Sequence, residues 1–396
     1  MAVVLCGISA LEYHRTPPML RAPEVSFEQA AAPCASGGAG VKAEALRCRA
    51  NAPEAERAIV SRLLTDLKGL SLPVHVMTDA TVCRRGSSRI AYHRWSEQLY
   101  DSSIGLGGEL SVLTPTATLA YLAREVGFVS LCKVACELLG IFTVHRETAL
   151  TRLLTSELLS RGELTPEAQG AYPDHIRAFY EVDGRPASMQ GRNGAGIPWE
   201  VSFDRYRRPT NLWRRAPLLS LEELHVFASV YKGARGAKIL TAVAHNVRPG
   251  TASPLEVRWL LALCLGYRRG EEGWPWPSTN RRVDFGARER AVSGQDSCVC
   301  DALWEHKNAV LEVMGEEFHA DKLGFKLQSG RTTALEHLGY TVREVTHGQL
   351  VHPDRYEVAV ENLSAAFGIP LAKRGKAFRS RQRELHKALN DRAAGW

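Results

Sequence analysis

Ser297-Cys-Val-Cys-Asp-Ala-Leu-Trp304, Glu305-His-Lys-Asn308 and Ala309-Val-Leu-Glu-Val-Met314 follow one another without a break. The outer segments are short apolar runs that suit a pleated surface, and the four polar residues between them suffice only for a turn. The stretch therefore predicts a β-hairpin. An even loop centred between His306 and Lys307 opposes Trp304 to Ala309 and, further in, Asp301 to Glu312. Directly opposed residues stand about 4.5–5.5 Å apart at Cβ, and like charges there destabilise the pair. Two carboxylates inside an otherwise apolar hairpin need a cation, a proton or a base partner. A hard divalent ion answers that need, because Mg²⁺ binds through one or two carboxylates together with substrate phosphate oxygens.

Working outward, Ser253-Pro-Leu-Glu256 supplies an N-cap, a proline at the first helical position and an acid at the third, ahead of an apolar run to Leu265. Ser220-Leu-Glu-Glu223 is a capping box for a helix to Tyr231, a further helix runs from Ala237 to His245, and Arg282 to Phe285 is a short strand candidate. Beyond the hairpin, Phe325 to Leu338 is helical with Gly339 as its stop. Tyr340 to Thr346 is a strand, and Pro353 to Phe367 is a helix ended by Gly368. A strand, a helix and a strand imply a right-handed crossover, so the strands at Ala309 and Tyr340 are expected to be parallel neighbours with helices on both sheet faces. Glu256 has two readings, half of a capping box with Ser253 or a third carboxylate beside the sheet. His319 also has two, a group that orients or deprotonates water or a surface histidine.

Over about residues 220 to 370 the chain resembles the very-short-patch-repair-like endonucleases of the PD-(D/E)XK superfamily, in a branch of small bacterial domains. The resemblance rests on Ser253-Pro-Leu-Glu256, Asp301, Leu311-Glu-Val-Met-Gly-Glu-Glu-Phe-His319, Gln328-Ser-Gly-Arg331 and Leu338-Gly-Tyr-Thr-Val342. It implies a mixed sheet flanked by helices and a Mg²⁺- or Mn²⁺-dependent cut of DNA. Asp301, Glu312, Glu256 and His319 are then catalytic candidates, with Asp301, Glu312 and the Val313 carbonyl holding the ion. Arg331 matches the branch's helical arginine and has two readings, a contact with phosphate or a pair with an acid on the surface. Members of the branch tend to show Asp where this chain has Met314 and Gln328, and the superfamily often has Lys at the first of these. Two functions are therefore expected in parallel: a metal-dependent nuclease, or a non-catalytic DNA-binding, antitoxin-like regulator that keeps the nuclease shell.

In the N-terminal part, Ala30 to Gly40 reads as a loop, Ala55 to Leu67 as a helix and Leu72 to Met77 as a strand. Thr114 followed by Pro115 starts a helix, and Val129 to Leu139 forms another that stops at Gly140. This predicts a mostly helical α+β domain over residues 1–150. It resembles, more weakly, the AbiEi-type antitoxin family through Ser9-Ala-Leu-Glu-Tyr-His-Arg15, His93, Leu113-Thr-Pro-Thr-Ala-Thr-Leu-Ala120 and Glu137-Leu-Leu-Gly140. That resemblance implies a part in bacterial defence or toxin–antitoxin regulation, although no clear winged helix precedes the region. The whole chain is α/β, α+β overall, in two domains: 1–150, a linker over 151–217, 218–370, and a basic tail over 371–396.

Hydrophobic residues at 45% exclude general disorder, and the formal charge of +7 suits a polyanionic partner without requiring one. Arg205, Arg207, Arg208, Arg214 and Arg215 lie among Phe203, Tyr206 and Trp213, and a second cluster comprises Lys373, Arg374, Lys376, Arg379, Arg381 and Arg383. Such clusters either hold phosphates and stack bases or form a solvated linker and a solvated tail helix. Gly191-Arg-Asn-Gly-Ala-Gly196 matches no phosphate loop. The nine cysteines include no C-x-x-C pair, which sets aside a zinc or thiol enzyme and favours buried thiols in a reducing cytoplasm. Met1 to Leu11 has no basic region of a secretory signal, and no run of about 20 apolar residues occurs, so a soluble cytoplasmic protein with no membrane partner is expected.

Overall fold

The computed structural model describes residues 3–21, 59–78, 88–164, 199–204, 206–315 and 322–391, with only the backbone of 322–328. Val3–Leu5 (β1) leads into Gly7–Arg15 (α1), and Val74–Thr78 (β2), Ile90–Arg94 (β3), Ser103–Gly105 (β4) and Leu110–Leu113 (β5) complete a sheet of order β3-β2-β1-β5-β4. This part is α+β as expected, but periodicity marks only one of its five strands. Strands of three to five residues are too short to display an alternation.

Pro115–Leu122 (α2) starts where Thr114 predicts, with Thr114 Oγ1 accepting from the Ala117 N–H at 3.3 Å. Phe128–Leu139 (α3) stops at Gly140. The described residues of 151–217 hold structured pieces. Phe142–Val144 (β6) pairs with Pro209–Arg214 (β8), which pairs in turn with Glu200–Phe203 (β7). Ala149–Ser160 (α4) opens on a capping box made by Thr148 and Thr151. Leu154 and Leu158 of α4 share a small core with Leu20, Val201 and Trp213. The basic and aromatic residues around Trp213 therefore belong to a hairpin that has a buried side. The Ala30–Gly40 loop, the start of the Ala55 helix and the Gly191–Gly196 stretch lie outside the described residues.

Leu221–Val230 (α5) and Pro254–Cys264 (α7) start behind the expected caps Ser220 and Ser253, and Ala237–Asn246 (α6) lies where a helix is expected but starts behind Gly236 without a side-chain cap. Then come Ser278–Asp284 (β9), Ala287–Ser293 (α8), Ser297–Trp304 (β10), Ala309–Met314 (β11), Lys322–His337 (α9), Thr341–Thr346 (β12), Pro353–Phe367 (α10) and Lys376–Asn390 (α11). The sheet order is β12-β11-β10-β9, with β10 antiparallel to both neighbours and β11 parallel to β12, as the crossover requires.

Both faces of this sheet are covered. Ala302, Trp304, Ala309, Leu311 and Val345 join the large core with Trp259 and Tyr356, while Leu303, Val310 and Val342 pack with Ala334 and Leu335 of α9. The large core takes in buried residues from Val3 to Val144 and from Leu219 to Leu389. The segment expected as a basic tail supplies α11, whose Phe378, Leu385 and Leu389 are buried. Its end is held by Lys133 of α3, which donates to the carbonyls of Leu389 at 3.2 Å and Asp391 at 2.6 Å. The six described cysteines are free and buried, among them Cys298 and Cys300 on one strand face. Among the described residues no helix is long and apolar enough to cross a membrane.

Candidate active site

The hairpin register is the one its turn predicts, with Trp304 opposite Ala309, Leu303 opposite Val310 and Ala302 opposite Leu311. The ladder stops there, one position short of the acids. On the other side of β10, Cys300 pairs with Arg281 and Ala302 with Thr279, and the position between them, Asn280 against Asp301, is skipped.

Side-chain alternation breaks at that point. Cys298 and Cys300 pack under α9, whereas Ala302 and Trp304 enter the large core on the opposite face. In β9 the adjacent Thr279 and Asn280 both reach the 249–250 segment, donating to Pro249 O at 2.7 Å and Gly250 O at 3.0 Å. Asn280 has φ +46°, a left-handed conformation that asparagine adopts more readily than most residues. The two strands are kinked together at this residue.

The kink corrects the expected side-by-side pairing of Asp301 and Glu312. Asp301 Oδ2 accepts from the Val313 backbone N–H at 2.7 Å. Glu312 shares the parity of Val310, the strand face under α9, and is ion-paired with Arg331 of that helix. Glu256 is the third acid. Ser253 Oγ accepts from the Glu256 N–H at 3.2 Å, but the carboxylate does not complete the capping box. Glu256 Oε2 accepts instead from the Ala252 N–H at 2.8 Å and from Asn280 Nδ2 at 2.6 Å. Asn280 thus joins α7 to the break in the sheet.

Electrostatically the three acids form a set. Burial, then the nearby Asp301 charge, raises the Glu256 carboxyl to about 8. Burial also raises Asp301, against the Val313 N–H and the charges of Arg331 and Arg214. Glu312, 1% exposed, is raised well above the usual carboxylate range by burial and then by Asp301, and one guanidinium does not reverse this. Arg331 holds its proton more firmly than usual: burial works against its charge, but Glu312 and Asp301 outweigh that. Carboxyls in this condition are stabilised by a proton or by a cation.

The donor set fits a hard divalent ion, since Glu312 Oε1 is buried and without a hydrogen-bond partner and carboxylate oxygens are its natural ligands. The set is not assembled as it stands, because among the described residues no three His, Cys, Asp or Glu side chains are grouped to hold an ion.

The other expected residues divide. Arg214, at the end of β8, lies close enough for its charge to act on Asp301. Arg215 is fully buried, donating to the carbonyls of Glu137 at 2.9 Å, Gly140 at 3.2 Å and Ala216 at 2.8 Å, so it is core structure and not a phosphate contact. Arg207 sits in the β7–β8 turn at φ +61°. Arg208 pairs with Asp204 at 3.0 Å and lies over the Tyr206 ring. Lys373 and Lys376 are exposed. Arg374 is not available to nucleic acid: it is 10% exposed and bonded at 2.8 Å to the fully buried Glu272 carboxylate, which needs a counter-charge. Arg205 and His319 lie outside the described residues, as does the side chain of Gln328.

Sequence reasoning missed Asn280 and the Val313 N–H, and it named Arg214 only as a member of the basic cluster and not as a neighbour of Asp301. The only advance signal for Asn280 is its tolerance of positive φ. Asn280→Ala is expected to lower stability by about 2–3 kcal/mol in urea unfolding, through two lost hydrogen bonds and a strained φ. Asn280→Gly relieves the strain alone and should recover part of that loss; equal losses in the two variants would show that strain contributes nothing.

Comparison of the chain with protein-family models, with curated proteins and with solved structures returned no match in any of the three.

Proposed function

We propose that the chain is a metal-dependent nuclease-like protein acting on DNA, with its active site at the sheet break where Glu256, Asp301 and Glu312 converge. The observation that carries this reading is that three buried carboxyls, from a helix and two central strands, are all raised by burial or by one another. Buried acids perturbed in this way concentrate at functional sites. The order of α7, three antiparallel strands, α9 and the parallel β12 adds support.

Asp301 and Glu312 would hold Mg²⁺ or Mn²⁺, with Glu256 behind them. Such an ion supplies an acidified water and charge neutralisation at phosphate. The chain's own residues do the remaining work. The Val313 N–H and Asn280 fix the directions of Asp301 and Glu256. Arg331 and Arg214 bring positive charge to the place where a phosphate would approach.

The test is incubation of the full chain with single- and double-stranded DNA in Mg²⁺ or Mn²⁺, beside Asp301→Ala and Glu312→Ala. Cutting by the parent, reduced about 100-fold or more in each variant, is the expected result. Two observations favour a second reading, a DNA-binding regulator that does not cut: Arg331 is already ion-paired with Glu312, and Met314 stands at the end of β11. That reading predicts no cutting and salt-sensitive DNA binding that is equal in all three proteins.

A further inference from the structure

The Arg331–Glu312 contact is one-armed. The Arg331 terminal Nη2 donates to Glu312 Oε2, whereas Glu312 Oε1 and Arg331 Nε are both buried and have no partner. A guanidinium and a carboxylate ordinarily meet through two parallel hydrogen bonds. The single contact leaves one donor and one acceptor unpaired in a dry place, which destabilises this arrangement relative to a two-armed pair. Arg331 is also the more accessible partner, its side chain 22% exposed against 2% for Glu312. A partly exposed cation held through one arm thus stands on a carboxylate that would otherwise be open.

From this geometry we infer that Arg331 is an internal, displaceable counter-ion: it occupies Glu312 in the resting protein and swings to a DNA phosphate when one arrives, so that Glu312 becomes free for the divalent ion only in the presence of DNA. The inference rests on the metal-site reading above and deepens it. Without Arg331 the fold would bury Glu312 uncompensated, which destabilises the folded chain. With Arg331 fixed on Glu312, the ion would meet only Asp301 and Glu256. Exchanging Arg331 for the ion keeps Glu312 neutralised, with the ion's second positive charge met by Asp301, and phosphate offers the guanidinium the two-armed partner that Glu312 does not. Ion and DNA then bind cooperatively, and linkage requires each to tighten the other by the same factor.

Mn²⁺ binding to the full chain, followed by electron paramagnetic resonance of the free ion, tests this without reference to cutting. The probe is Mn²⁺ alone and Mn²⁺ with a short phosphorothioate duplex, corrected for the ion the duplex binds by itself. The parent is expected to bind Mn²⁺ about 10-fold or more tightly with the duplex than without it. Arg331→Gln, checked for folding by circular dichroism, should bind Mn²⁺ tightly on its own with little further gain from the duplex. Asp301→Asn should remove site binding in both conditions. Equal Mn²⁺ affinity of the parent with and without duplex overturns the counter-ion role while leaving the metal site standing, and that arm needs no variant. No Mn²⁺ bound by any protein under either condition overturns the metal-site reading itself.

Discussion

Glu137→Ala is expected to lower the unfolding free energy by about 3–5 kcal/mol, the usual consequence of removing one member of a buried ion pair. Glu137 lies in α3 and is fully buried. Its Oε1 accepts from Arg15 Nε at 2.9 Å, Thr143 Oγ1 at 2.7 Å and the Val144 N–H at 3.1 Å, and its Oε2 accepts from Arg15 Nη2 at 2.5 Å. One carboxylate therefore joins α1, α3 and β6. Its loss leaves the guanidinium of Arg15, itself 3% exposed, without this partner, together with a hydroxyl and a backbone donor. Urea unfolding of the single variant and of Arg15→Met combined with Glu137→Met separates the causes. The double variant should be less damaged than Glu137→Ala, because no charge is then stranded and volume is kept. A loss below about 1 kcal/mol for Glu137→Ala would mean that this junction does not hold the elements together.

Acid should weaken the protein through His14 and His145. Burial lowers His14 to about 4, although its Nε2–H donates to Leu113 O at 2.7 Å; Arg21 and Arg215 add to the lowering. Burial, then Arg15, lowers His145 to about 4 as well. The unfolded chain protonates both near 6.5. Between 6.5 and 4 it binds protons that the fold does not, so stability is full above 6.5, is lost as pH falls through this window, and loses nothing more from these groups below 4. Each histidine contributes about 3 kcal/mol to that loss.

Raised carboxyls act in the opposite sense. Burial lifts Glu271 to about 7, so its contribution is present at low pH and is lost as pH rises from 4.5 to 7. The parent's pH profile therefore mixes the two effects, and the difference between parent and variant isolates the histidine. His14→Gln keeps a donor for Leu113 O and cannot take up a proton. Its stability should fall less steeply than the parent's from pH 6.5 to 4; parallel slopes would show that His14 is charged in the fold.

Local rules were enough for much of the molecule. Ser253, Pro254 and the apolar run start α7 where expected, because capping and proline geometry involve only neighbouring residues. The four-residue turn set the pairing of Trp304 with Ala309, and the strand–helix–strand order set β11 parallel to β12. The short strands of the N-terminal sheet left too few residues for a period, and α11 could be read as a free tail only until Lys133, far away in the chain, capped its end.

At the candidate site the sequence determined that carboxylates would stand on α7, β10 and β11. Only the tertiary structure decided how they face one another. The left-handed turn of Asn280 skips one rung of the ladder, Asp301 takes the Val313 N–H, Glu312 takes Arg331, and Glu256 leaves its cap for Asn280. The physical reason is range. Caps, turns and pairing registers are governed by residues a few positions apart, whereas the partner of a buried charge is whichever opposite group the packed chain brings within hydrogen-bond reach.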